Sequence, residues 1–386
     1  MVSCPICTSG ETKKNGMIKR MVMSKSGKKM RSVQSYKCRN GHTFKVGLDF
    51  PFSDSFIEHV VFIYLRCMSL NVTVDIVRET YEQDVLSKSQ VLEFVEQVAD
   101  ALPSLAEIDQ LYSPHRSGYL AFDGVWFSYG SGQIVLLVCF DPVSFDVISA
   151  VWNDDENQAG YNRVINQVLN KLPKDRIKAV YGDGDNGLML SLKYHLPRVP
   201  FQLCAVHRIL RMEQIVPVAR AGRSRKMDEK TKAEIKEFAG LFKATLIAVS
   251  KEEAVKALGD LLIWTQSRPN ERYVRAVNQL KYNFLQTLTH FDYPGMMRDN
   301  NLIECFNGCL KPRLTLMKGF KRGDNLDRYL KLFLLDFRFH SLKESRFAYR
   351  RDKSPIELGG VPLPQYFNFL TLLRDQLHLS YQSKSP

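Results

Sequence analysis

Hydrophobic and polar positions change rhythm several times along the chain. Over residues 54–102 apolar side chains recur at helical spacing. A first helix is expected over 55–68. A second starts near Asn71, a residue able to cap it, and carries Val72, Ile76, Val77 and Tyr81. A third is expected over 87–102, with Ser87 or Ser89 as the cap. Three short helices with tight connections fit a helix-turn-helix, with a supporting helical bundle as the alternative. From Gly118 the period shortens to that of strands. Residues 118–129, 133–141 and 145–152 are rich in β-branched and aromatic side chains, punctuated by Gly130, Gly132 and Pro142, which predicts a three-stranded meander. A helix over 158–172, a strand over 176–181, a helix from Gly187 and a short strand over 201–204 should follow. Residues 208–290 read as helical and polar, broken by the basic run 220–226 (RAGRSRK). Within them Trp264, among Leu258, Leu261 and Leu262, reads as a core residue, with stacking on an unpaired base as the alternative. Helical spacing returns over 301–342, and Gly359, Gly360, Pro362 and Pro364 break up the tail. The class is α/β.

With 386 residues, 45% of them hydrophobic, the chain is long enough for more than one domain. No apolar run approaches the roughly 18 residues of a spanning helix, and no apolar signal core follows the N-terminus. No membrane is expected, and a cytoplasmic, nucleoid-associated location is. The net charge of +13 favours a polyanionic partner. Its distribution sharpens that reading. Residues 1–48 hold eleven basic side chains and a single acid, Glu11, and so carry ten of the thirteen net charges.

The same basic segment contains Cys4-x2-Cys7 and Cys38-x3-His42, two ligand pairs at a spacing that can close a tetrahedral, structural zinc site. The interval between the pairs suits a hairpin carrying the basic residues. Incidental thiols are the alternative. Cys67, Cys139, Cys305 and Cys309 lie on apolar stretches and read as core residues. Double-stranded DNA is the expected partner of this half. Lys13, Lys14, Lys19, Arg20, Lys28, Lys29 and Arg31 are candidates for phosphates. Ser87, Lys88 and Gln90, at the start of the third helix, are candidates for the major groove.

Asp123 stands inside an otherwise apolar and aromatic strand, where an ionised carboxylate is costly unless paired or bound to metal. A second acidic locus is the loop 182–187 (GDGDNG), directly after a strand. It matches a dinucleotide-binding pattern formally, but Asp183 and Asp185 would repel a pyrophosphate. It also resembles the start of a calcium loop, but Tyr194 stands where a closing Glu is required. Carboxylates at strand ends do suit magnesium. Glu304, on a helix with Leu302, Ile303, Phe306 and Leu310, reads from pattern alone as a surface residue.

The segments YLAFDG (119–124), VYGDG (180–184), QLCAVH (202–207) and NNLIECFN (300–307) together resemble, in content and order, those of Mutator-like transposases, over about residues 115–340. The resemblance implies a ribonuclease-H-like mixed sheet core with a helical insertion before the last catalytic helix. It implies Asp123, Asp183 and Glu304 as catalytic ligands of two Mg²⁺ or Mn²⁺ ions, with Asp183 rather than Asp185 because Asp followed by Gly is the family pattern. Cys204, His207 and Asn301 would support the site, although Cys204 and His207 could equally be a packing pair. Expected divisions are a zinc-binding segment (1–50), a helix-turn-helix domain (51–112), a first core part (113–207), the insertion (208–290), a second core part (291–345) and a tail (346–386). The implied activity is cleavage and 3′-hydroxyl strand transfer at the ends of a mobile element, by an oligomer assembled on DNA. The alternative is a catalytically inactive or domesticated regulator derived from such an enzyme.

Overall fold

The computed structural model describes residues 2–372, apart from 5, 8, 25–26, 46–51, 68, 82–85, 317–322, 346, 365–366, 368 and 371. They fall into two units, one drawn from residues 1–114, 128–130 and 312–386, the other from 115–127 and 131–311.

The first unit begins with β1 (Thr12–Ser24) and β2 (Gly27–Cys38), an antiparallel hairpin in which Thr12 faces Cys38 and Ser24 faces Gly27. The short β3 (Thr43–Lys45) pairs with β2. A two-layer core cannot form on so thin a ribbon, so Met17, Ile18, Met21 and Met30 stay exposed. Only at its base do Val2, Cys4, Tyr36, Cys38 and Phe44 pack together. All seven basic candidates for phosphate contact lie on these two strands.

Helices α1 (Asp54–Cys67), α2 (Leu70–Tyr81), α3 (Lys88–Ala101) and α4 (Leu105–Tyr112) follow. Their buried stripes, including Phe56, Val60, Val77, Val91, Phe94 and Val98, meet in one core. Two details correct the sequence reading. Asn71 lies inside α2, and Ser69 starts that helix: its carbonyl accepts from the Thr73 N–H (2.9 Å) and its hydroxyl from the Val72 N–H (3.4 Å). The fourth helix was not anticipated. Its Ser104 and Glu107 form a capping box, as Ser87 and Gln90 do for α3.

The second unit is a mixed sheet. Strands β4 (Tyr119–Tyr129), β5 (Gly132–Asp141) and β6 (Asp146–Asn153) form the meander. Helix α5 (Gln158–Leu169), β7 (Ala179–Gly182), α6 (Asn186–His195) and β8 (Phe201–Leu203) complete the order β6-β5-β4-β7-β8. Pairing is antiparallel between β5 and β6, and parallel from β4 to β7 and from β7 to β8. Parallel neighbours need crossovers, which α5 and α6 supply. These helices bury Tyr161, Val164, Ile165, Leu188 and Leu192 against Leu120, Phe122, Leu137 and Val180 of the sheet.

A helical layer follows: α7 (Ala205–Ile215), α8 (Val218–Arg223), α9 (Glu229–Ile247), α10 (Lys251–Ser267) and α11 (Glu271–Tyr282). It has its own core, including Phe238, Phe242, Leu261, Trp264, Tyr273 and Leu280. Trp264 is buried there. Phe238 and Tyr273 lie 5.7 and 5.3 Å from its ring, and the Arg268 guanidinium stands 4.6 Å over it, so no face is left for a base. Helix α12 (Asn301–Leu316) buries Leu302, Ile303, Phe306 and Leu310. Cys305 and Cys309 fall off that stripe and are exposed, against the expectation of core residues, whereas Cys139 is buried and Cys67 half-buried.

The chain then returns to the first unit with α13 (Gly323–Phe339). There Arg328 forks onto Asp100 at 2.8 Å, and the fully buried Arg338 meets Asp109 at 2.6 Å. Among the described residues no helix is long and apolar enough to cross a membrane.

Candidate active site and metal centre

The register of the sheet decides where its acids go. β4 and β7 are parallel, and their pairing runs from Tyr119 opposite Ala179 to Ala121 opposite Tyr181. Asp123 and Asp183 therefore stand at the same level, each two residues beyond the last paired position. The turn after β7 needs Gly184. Its φ is +80°, and a Cβ there would lie 2.6 Å from Leu203 Cδ1. One oxygen of Asp183 accepts the Asp185 N–H at 2.8 Å. Asp185 is differently employed: its carboxylate caps α6, accepting from the N–H groups of Gly187 (2.7 Å) and Leu188 (3.3 Å).

Helix α12 is fastened beside these strands at its start. Asn300 donates its amide to the carbonyl of Phe122 (3.0 Å) and its backbone N–H to Cys204 Sγ (3.2 Å). One turn along, Glu304 and Asn307 share a face. The Asn307 amide donates to Asp123 Oδ2 at 2.6 Å. Glu304 Oε1 lies 3.9 Å from His207 Nδ1, and the ligand atoms of Cys204, His207 and Glu304 fall within 4.8 Å of one another. Asn301 contributes less than its neighbours: its backbone N–H meets Asp299 Oδ1 at 3.2 Å, at the helix start.

A fourth acid joins the group. Glu156, in the loop before α5, accepts from Trp126 Nε1 at 2.6 Å and from the Tyr161 hydroxyl at 3.3 Å. It approaches β4 so closely that a Cβ on Gly124 would lie 2.5 Å from its carboxyl carbon. Basic side chains flank the other side. Arg211 Nη2 is 3.7 Å from Asp183 Oδ2, and Arg208 Nη2 donates to the Asp183 carbonyl at 3.5 Å.

The electrostatics follow from this crowding. Withdrawal from water pushes the Asp123 carboxyl well above the ordinary aspartate range, and the neighbouring Asp183, Glu304 and Glu156 push it further. Burial, with Asp183 and Asp185 nearby, also raises Glu156, against the lowering effect of its Trp126 bond. Burial lifts the Cys204 thiol to about 12 and, with Arg211 beside it, brings Arg208 down to about 10.

Sequence reasoning missed Glu156, Asn300, Asn307, Arg208 and Arg211. Asn307 was within reach, since it stands three residues after Glu304 on one helix. Glu156 lies in a loop, where no periodicity marks it.

The N-terminal ligand candidates also come together. Cys4 Sγ lies 3.9 Å from His42 Nδ1, Cys7 Sγ 3.8 Å from Cys38 Sγ, and Cys38 Sγ 3.5 Å from His42 Nδ1. All four ligand atoms fall within 4.8 Å of one another. The β1–β2 hairpin creates this meeting by pairing Thr12 with Cys38. Tetrahedral zinc with Zn–S near 2.3 Å would space two sulfurs by roughly 3.8 Å, so the donor set and its spacing both fit that ion. The Ser9 backbone N–H and then His42 bring the Cys7 thiol down to about 6, favouring the thiolate a metal requires.

A mixed sheet with acids clustered about Asp123 and a helical layer following it accords with a known family. The profile described as "Transposase, Mutator family" matches residues 7–341, and the chain belongs to that family. Among solved structures it matches the cryo-EM structure of a simian T-cell lymphotropic virus intasome in complex with PP2A regulatory subunit B56 gamma. Identity is 9%, the match covers 43% of this chain and 63% of that one, and the TM-score is 0.20, too slight a likeness to bear on fold or function. No curated protein matches the chain.

Proposed function

We propose that this transposase cuts and joins DNA with divalent metal held by Asp123, Asp183 and Glu304. The observation that carries the reading is that burial, and after it the nearness of Asp183, Glu304 and Glu156, hold the Asp123 carboxyl well above its ordinary range. Acids gathered so closely repel, and a hard cation with a preference for carboxylate oxygen relieves that repulsion. When bound, a pair of such ions activates the attacking oxygen and stabilises the leaving one during in-line displacement at a DNA phosphate.

The protein's own residues prepare that chemistry. Asn307 fixes the rotamer of Asp123 by donating to one oxygen, which leaves the other for metal. Asp185 caps α6 and Asp183 takes the Asp185 N–H, each through one oxygen, so the choice of Asp183 as the ligand rests on its position level with Asp123 and beside Arg211. His207 stands behind Glu304 and restricts its carboxylate. Cys204 accepts the Asn300 N–H and packs the start of α12 against β8. Arg211 faces the side from which a phosphate would approach.

The sheet order, with two parallel crossovers after an antiparallel meander, supports a ribonuclease-H-like core, interrupted by the helices between β8 and α12 as an insertion. The cluster of Cys4, Cys7, Cys38 and His42 is read as a structural zinc site that roots the basic hairpin, and this hairpin with α1–α3 as the part that grips the element's ends. The test is a titration with Mn²⁺ followed by electron paramagnetic resonance. Saturable binding in the wild type, weakened at least tenfold in Asp123→Asn, Asp183→Asn and Glu304→Gln but not in Asp185→Asn, is expected. Equal binding by all five proteins would refute the assignment.

A further inference from the structure

Helix α11 buries Tyr273, Ala276, Val277 and Leu280 in the helical layer. That stripe fixes which residues point away from the core, among them Arg272, Arg275, Gln279 and Tyr282. Across from them α7 presents Arg208 and Arg211, three residues apart, and α8 adds Arg220. Together these helices bound an open groove of about 1260 Å³. Its lining includes five arginines against a single carboxylate, Glu271; Arg208 is buried with its guanidinium on the Asp183 carbonyl, and Arg211, Arg220, Arg272 and Arg275 reach solvent.

Three features identify what such a groove takes. It exceeds the roughly 300–1,000 Å³ of pockets built for small molecules, and it is open along its length, so an extended ligand fits better than a compact one. Guanidinium groups donate in a planar fork that matches phosphate oxygens, and Arg rather than Lys supplies all the positive charge in the lining. Tyr282, 87% exposed at the rim, leaves an aromatic face in water where a sugar or base could cover it. Position adds the decisive constraint. Arg211 lines the groove and also stands 3.7 Å from Asp183, so the basic track starts at the carboxylate site.

We propose that the groove between α7, α8 and α11 is a second DNA-binding site, which holds the phosphate backbone of the strand running away from the phosphate being cut. Its placement next to the scissile phosphate rests on the assignment of metal to the three carboxylates; its affinity for DNA does not. It is separate from the basic N-terminal hairpin, and the DNA used to test it carries no particular sequence.

The experiment measures binding of the full-length protein to a fluorescent 30-base-pair duplex of arbitrary sequence at a series of NaCl concentrations. Every DNA phosphate that is no longer neutralised should lower the slope of log K against log salt by about 0.9. The variant Arg220→Glu/Arg272→Glu/Arg275→Glu alters three exposed side chains and is expected to lose about 2–3 from that slope and at least tenfold in affinity near 0.1 M salt. The variant Lys174→Glu/Lys193→Glu/Lys256→Glu makes the same change in net charge at exposed sites outside the groove and should keep the wild-type slope. Should the arginine reversal fail to fold, Arg272→Gln/Arg275→Gln serves in its place, with an expected slope loss of about 2. A wild-type slope in the groove variants, or an equal loss in the lysine control, overturns the proposal. Because Mn²⁺ binding is read separately, either result leaves the carboxylate assignment to stand or fall by itself.

Discussion

The Asp123 carboxyl is withdrawn from water inside an apolar strand and has Asp183, Glu304 and Glu156 for neighbours, which raises its proton affinity. The sign of the consequence is definite. The metal-free native state holds a proton that the unfolded chain releases. The group therefore favours folding below the ordinary aspartate value near 4, and that contribution is lost as pH rises through the folded value. Asp123→Asn removes the titration and keeps an acceptor for Asn307. In chelator it should melt about 2–4 °C above the wild type at neutral pH, roughly 1 kcal/mol, with the difference vanishing near pH 4. Thermal melts across that range check it, and a variant that melts lower at neutral pH would contradict the crowding described here. Nothing in the helical spacing of Glu304 separates it from a surface acid, and only the family resemblance singled it out. Glu156 and Asn307 escaped because a loop acid and a helix amide carry no local signature until the chain folds.

At the scale of elements, the strands from 119 to 203 were legible because β4, β5, β7 and β8 abut a glycine or proline, and β4 to β6 are filled with β-branched and aromatic residues. What could not be read was the parallel register that brings Asp123 level with Asp183, since pairing between β4 and β7 spans sixty residues of intervening chain. The start of α3 was legible at Ser87, the equivalent box at Ser104 went unrecognised because α4 is only eight residues long, and the start of α2 was misplaced where the cap is a lone serine, Ser69. The box at α3 changes the standing of Ser87 and Gln90. Each satisfies the other's backbone at the start of α3, so Ser87→Ala should cost about 1 kcal/mol of stability. Denaturant melts give that number. An unchanged midpoint with weakened DNA binding would return Ser87 to the role of a base contact. The N-terminal hairpin has too little apolar surface to stand unaided, and its buried base is the cysteine cluster itself. The purified protein should therefore release about one equivalent of zinc to an excess of chelator, with loss of hairpin structure, and Cys38→Ser should retain none. Elemental analysis finding less than half an equivalent in the wild type would count against the site.

Over the whole molecule, charge was the most legible property and also the most misleading. Ten of thirteen net positive charges lie in the first 48 residues, which points to that end alone. The arginines of α7, α8 and α11 are diluted in the sequence by acids such as Glu213 and Glu271, and become a groove only when the helical layer folds. The family profile spans both regions and all three carboxylates, which makes a single DNA-processing machine the simplest account of the chain. Its central claim is that Asp123, Asp183 and Glu304 do the cutting. The most direct measurement incubates a plasmid, carrying the element with its own flanking DNA, with wild type and with Asp123→Asn, Asp183→Asn, Glu304→Gln and Asp185→Asn in Mg²⁺, and maps strand breaks at the element's ends. Breaks with the wild type and Asp185→Asn, their loss by at least a hundredfold in the other three with DNA binding retained, and their disappearance in chelator are the predicted result. Breaks of wild-type intensity from any of those three would contradict it.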